Sequence, residues 1–136
     1  MIPSRWEPVH RPLDSELVGY LAPDGAPGLV LPVTLVGAAL GPTQDRAAAA
    51  TLLHVRGLAA LDRRWWCRLP ATLVPGVLPA GEPPADWDWR PVVLVEVSPT
   101  ECRLRPECPA PEELTAQAVL PVPVGGLLRA DPPGSG

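Results

Sequence analysis

The chain has 136 residues, 21 of them proline and 12 glycine, with 46% apolar residues and a net charge of −4. That length allows one domain. The proline content excludes long uninterrupted helices, and the leucine and valine content excludes a wholly disordered chain.

All 11 basic residues are arginine, and asparagine, lysine and phenylalanine are absent. The longest basic run is Arg63-Arg64. Nucleic acid is therefore a disfavoured partner, because such binding works by displacing counterions with a basic surface. Residues Met1 to Pro8 lack the apolar core of a signal peptide. The run Leu29 to Leu40 holds Pro32, Thr34 and Gly37 and is too short to span a bilayer. The expectation is a cytoplasmic protein with no membrane contact.

In chain order, Trp6 to Arg11 reads as a short strand. Glu16 to Ala22 alternates as a second strand, and Pro23-Asp24-Gly25 supplies a turn in which proline presets the first corner and glycine tolerates positive φ. Gly28 to Val36 resumes the extended pattern, with Pro32 requiring an edge or a bulge. Gln44 to Arg56 contains neither proline nor glycine and reads as the one helix. Thr43 is its expected N-cap, Asp45 sits in the first turn and Gly57 follows as C′. Ala48, Leu52 and Val55 line one face of the wheel, with Ala49 and Leu53 beside it.

Arg64 to Leu69 alternates as a strand with Trp65, Cys67 and Leu69 on one side and Trp66 and Arg68 on the other. Pro70 to Pro84 reads as a long loop with an apolar insert at Leu73 to Leu78. Val92 to Val97 is a strand. Ser98 to Glu101 turns it into a hairpin with Cys102 to Arg105, whose Arg103 and Arg105 face water. Pro111 to Leu114 starts a short helix. Ala118 to Leu128 is apolar but too interrupted by proline for a regular ladder, and Asp131 to Gly136 reads as a flexible tail.

The fold class expected from this order is α+β. It comprises a small, mostly antiparallel sheet curled as a partial barrel of SH3-like size, with the helix of residues 44–56 packed on it. Residues 1–105 form the domain and 106–136 a proline-rich C-terminal extension.

No catalytic signature is present: no GxSxG elbow, HExxH or GxGxxG, and no phosphate loop, which would need a lysine. No cofactor is implied. His10, Asp14 and Glu16 form the densest titratable cluster and, with Tyr20, are the candidate pocket of a ligand-binding or enzymatic domain. Against that stands a plain polar loop with Arg11 as ion partner. Cys67, Cys102 and Cys108, even with His10 and His54, lack the close pairing of a zinc site, so no metal is expected. Cys67, between Trp65 and Leu69 on its face, reads as a buried thiol.

The five tryptophans are the outstanding feature. Trp65-Trp66 and Trp87-Asp88-Trp89 each contain a ring that is hard to bury. Trp and Arg dominate interface hot spots, so Trp66, Arg68, Trp87, Trp89 and Arg90 are candidate partner-binding residues. Val122, Val124, Leu127 and Leu128 join them, because an apolar stretch interrupted by proline needs cover from its own domain or from a partner. Arg103 to Pro109 also fits an R-x-x-P-x-x-P pattern. The leading functional expectation is a non-catalytic interaction domain that binds a protein partner or forms a homo-oligomer. The alternatives are the His10 pocket and single-strand nucleic-acid binding through Trp66, Arg68 and Arg90.

Overall fold

The computed structural model describes residues 1–132. The last four residues of the expected tail, 133–136, lie outside this range. The architecture is α+β, with two sheets and one helix and no closed barrel. The first sheet is a meander in the order β1 (Glu7–His10), β2 (Leu17–Pro23), β3 (Leu29–Val33) and β4 (Gln44–Asp45). Helix α1 (Arg46–Arg56) packs on it. The second sheet has six strands in the order β10-β5-β7-β8-β9-β6. These are β5 (Trp65–Leu69), β6 (Gly76–Pro79), β7 (Asp88–Val97), β8 (Glu101–Pro106), β9 (Ala116–Pro121) and β10 (Leu128–Arg129). All pairings are antiparallel except β6 with β9.

Each sheet has its own apolar cluster. Ala49 and Leu53 of α1 bury against Val9, Val18, Leu21 and Val30. This rotates the buried face from the one the wheel favoured: Val55 is 72% exposed. At the end of the helix Gly57 lies against the Val18 carbonyl of β2. The cap differs as well. Asp45, not Thr43, is the N-cap, and its carboxylate accepts from the Ala48 N–H at 2.9 Å; a carboxylate at this position also suits the helix dipole. Thr43 instead donates its hydroxyl to Asp24 in the neighbouring turn.

Gly57 has ordinary right-handed helical angles, with φ −54° and ψ −50°, so no left-handed cap is present. Glycine is needed there for space. A Cβ would collide with the carbonyl oxygens of Val18 and Leu53. Ala in place of Gly at helical angles normally stabilises by about 0.4–1 kcal/mol. Here Gly57→Ala is expected to lower stability by about 1–3 kcal/mol, because two backbone oxygens cannot rotate away as a side chain would. A thermal melt checks the sign, and a stabilised variant would contradict the contact.

Pro32 sits where β3 has run past the two-residue β4, whose partners are Leu29 and Val30. Its carbonyl accepts from Leu40 at 2.9 Å. The two sheets meet through the segment after β3. Val36 and Ala38 belong to the larger core together with Trp65, Leu69, Val92, Leu104 and Leu120. Leu40 packs against both clusters. Gly37, at φ +83°, faces Pro123 so closely that a Cβ would strike it, and the Val124 N–H donates to the Val36 carbonyl at 2.9 Å.

Residues 106–132 are not an extension. They supply β9 and β10 to the same sheet as β5, β7 and β8. The prolines permit this because of where they stand: Ala116 to Leu120 contains none, and Pro121 and Pro123 fall at and beyond the end of the ladder. Val122, Val124 and Leu128 are accordingly buried in the core, so their aliphatic area is covered by the chain itself and offers nothing to a partner. The insert expected in the Pro70 to Pro84 loop holds a real strand, β6, which forms one edge of the sheet.

Candidate functional site

Alternation along β5 decides which side chains face out. Trp65, Cys67 and Leu69 are buried, and Trp66 and Arg68 are half-buried on the opposite side. In an antiparallel pair, directly opposed residues share a face. Trp66 is opposite Pro91 of β7 and Arg129 of β10; Arg68 is opposite Trp89; Val93 is opposite Arg105 of β8. Trp66, Trp89, Pro91 and Val93 thus share the outer face of the six-stranded sheet with Arg68, Arg105 and Arg129. The Arg129 guanidinium stands 5.3 Å from the Trp89 ring centre, within cation–π range.

The structure brings together some of the sequence-predicted residues and separates others. Trp66, Arg68 and Trp89 share the outer face. Arg68 has a second task there: Nε donates to the Trp87 carbonyl and Nη2 to those of Pro84 and Ala85, each at 3.1 Å, which ties down the loop before β7. Trp87 is half-buried against the core. Leu127 packs on the core and, with Cys67, Arg68, Ala80, Pro83, Trp89 and Gly126, lines a cleft of about 110 Å³. That is well below the 300 to 1,000 Å³ typical of small-molecule sites.

Arg90 is not a partner-binding residue of this face. It lies opposite Cys67 on the inward side, where Nη1 and Nη2 grip Glu113 at 2.8 and 3.0 Å. Nη1 also donates to the Pro70 carbonyl at 3.1 Å. Glu113 is 2% exposed and accepts from the backbone N–H groups of Leu73 and Ala110 at 2.7 and 3.0 Å. The guanidinium and these donors hold its carboxyl down at about 2, against the opposing effect of burial.

The residues of the alternative pocket divide. Glu16 and Tyr20 line a cleft of about 210 Å³ with Leu17, Leu35 and the Val97 to Pro99 turn. Asp14 is turned to Arg11, with Nη2 to Oδ2 at 2.6 Å, and accepts from the Glu16 N–H at 3.1 Å. The Arg11 contact and then that N–H hold the Asp14 carboxyl below its usual range. His10 is exposed on β1 opposite Leu17. The cluster is therefore a polar loop closed on itself rather than four groups around one space.

Burial pushes the Cys67 thiol up to about 12 and the Cys102 thiol to about 11, so both are protonated and weakly nucleophilic at neutral pH. Cys108 is exposed. Among the described residues, no group of three or more His, Cys, Asp or Glu side chains is placed to share a metal ion, and no helix is long and apolar enough to cross a membrane.

Sequence reasoning missed Arg129. It belongs to a two-residue strand inside a stretch that reads as irregular, and no local pattern reveals so short an element. Alternation alone turns Arg105 toward water, but its place beside Val93 and Pro91 depends on the β7 register. No protein-family model matches the sequence, and no curated protein or solved structure matches it either.

Proposed function

We propose that this chain is a non-catalytic protein-interaction domain whose contact surface is the outer face of the six-stranded sheet. The observation that carries the reading is the partly exposed pair Trp66 and Trp89, held on neighbouring strands with Arg129 stacked on the second ring. Trp and Arg supply most hot-spot energy at interfaces, and a ring fixed on a strand loses little freedom when it is covered. Pro91 and Val93 complete an apolar strip between arginines.

The test is retention of a partner by the immobilised chain, compared with Trp66→Ala. A hot-spot tryptophan contributes about 2 kcal/mol or more, so the variant should weaken binding about thirtyfold. Light scattering over a concentration series distinguishes a second copy of this chain from a different protein. A wild-type chain that stays monomeric and retains the same proteins as Trp66→Ala would remove this reading.

A further inference from the structure

We infer that the outer face of the six-stranded sheet takes an acidic, extended segment of its protein partner, with two carboxylates bracketing an apolar residue. This rests on the interaction reading above and specifies the chemistry of the partner. The argument is charge placement. The chain is acidic as a whole, at −4, yet strand alternation and register gather Arg64, Arg68, Arg103, Arg105 and Arg129 on or beside this one face. Glu101, Glu107 and Glu96, which lies opposite Arg103, are the acids among them, and Asp131 borders the same cleft as Arg129. Glu107 is taken up by a bidentate pair with Arg64, and Glu101 lies 3.9 Å from Arg103.

Three cations are left without a carboxylate among the described residues. Arg68 is occupied by loop carbonyls. Arg105 has only the Pro106 carbonyl, at 3.2 Å, and is exposed. Arg129, also exposed, lies on Trp89. Arg105 and Arg129 stand on β8 and β10, with β5 and β7 between them. Three strand spacings put their backbones about 14 to 16 Å apart, which an extended chain covers in four to five residues. Trp66, Pro91 and Val93 occupy the interval. A segment with carboxylates about four residues apart and an aliphatic residue between them matches both the charges and the strip. Nucleic acid fits less well, because a phosphate backbone needs a denser run of cations than two free arginines and is repelled by the remainder of an acidic molecule.

The probe is a synthetic seven-residue peptide with two glutamates four positions apart and leucine and proline between them. Its control carries glutamine in place of both glutamates. The readout is the set of five indole N–H resonances of the nitrogen-15-labelled chain, followed at low and at physiological ionic strength. Expected is a shift of the Trp66 and Trp89 signals, none of Trp65, and an affinity at least about tenfold above the glutamine control that shrinks with salt. Arg105→Glu, at an exposed position, should lose binding to the glutamate peptide and regain it with a lysine version, a charge-swap cycle that misfolding cannot imitate.

Equal binding of both peptides overturns the acidic segment but leaves the face as a contact surface. Tighter binding of a fifteen-nucleotide oligothymidylate overturns the partner class. Silence of both peptides overturns the segment alone if the Trp66-dependent retention described above persists. If that retention is also lost, the interaction reading fails with it.

Discussion

Glu113→Ala is expected to cost the fold about 3–5 kcal/mol, since it leaves the Arg90 charge largely buried without its partner. The Arg90 side chain is only 19% exposed, and the carboxylate it grips is 2% exposed. The same carboxylate satisfies the N–H groups of Leu73 and Ala110, so the substitution also orphans two backbone donors and releases the loop that carries Leu73 into the core. Glu113→Gln separates charge from shape. The Glu113 carboxyl titrates at about 2 when folded against 4.5 ordinarily. A depressed folded value stabilises the fold fully above the unfolded value and loses that contribution as pH falls toward the folded one. The window therefore runs from about pH 4.5 down to about pH 2. Linkage puts a ceiling of about 3 kcal/mol on this contribution, and screening at the partly exposed guanidinium reduces it to about 2 kcal/mol. Urea unfolding from pH 7 to pH 2 should show the wild type losing that increment while Glu113→Gln does not. Superimposable pH profiles would mean that the ion pair does not hold the loop.

The strands that sequence reasoning located are those whose alternation is carried by large side chains. Arg64 to Leu69, Glu16 to Ala22 and Val92 to Val97 all lie within or close to real strands, because period two is a local property. What it missed is non-local. The order of elements implies a single curled sheet, whereas the chain forms two, which meet at Val36 to Leu40, where glycine at position 37 admits Pro123 from far along the chain. Strand β9 was hidden by counting prolines in its neighbourhood rather than locating them: the ladder occupies the proline-free stretch and stops at Pro121. Strand β6 pairs in parallel with β9, a contact between segments some forty residues apart that no turn signal announces.

The candidate surface was legible to the same degree. The separation of Trp66 and Arg68 from Trp65 and Cys67 followed from alternation alone. The assignment of Arg90 failed even though alternation handles it correctly: Trp89 and Arg90 are adjacent on one strand and must face opposite ways. Reading Trp87, Trp89 and Arg90 as one cluster ignored that, and the buried acid awaiting Arg90 lies 23 positions away in a short 3₁₀ turn. Val122, Val124 and Leu128 read as candidates for cover by their own domain or by a partner, and the sheet that buries them is built from pairings no local pattern announces.

Adjacent tryptophans give the second large effect its internal control. Trp65 is 1% exposed, its indole N–H donates to the Ala60 carbonyl at 3.1 Å, and it packs in the cluster that joins the sheets. Trp65→Ala removes the largest fully buried side chain and leaves that carbonyl unpaired, at an expected cost of about 3–5 kcal/mol. Trp66, one position along and on the other face, should cost about 1 kcal/mol or less when replaced by alanine, because the protein encloses the ring only in part. Thermal melts of the two variants compare identical chemical changes on opposite sides of one strand. A large loss for Trp65→Ala beside a small one for Trp66→Ala is the pattern a sheet with one committed face and one available face must give. Should the two melt together, Trp66 is a core residue like its neighbour, and the outer face has lost the anchor on which its proposed role as a contact surface depends.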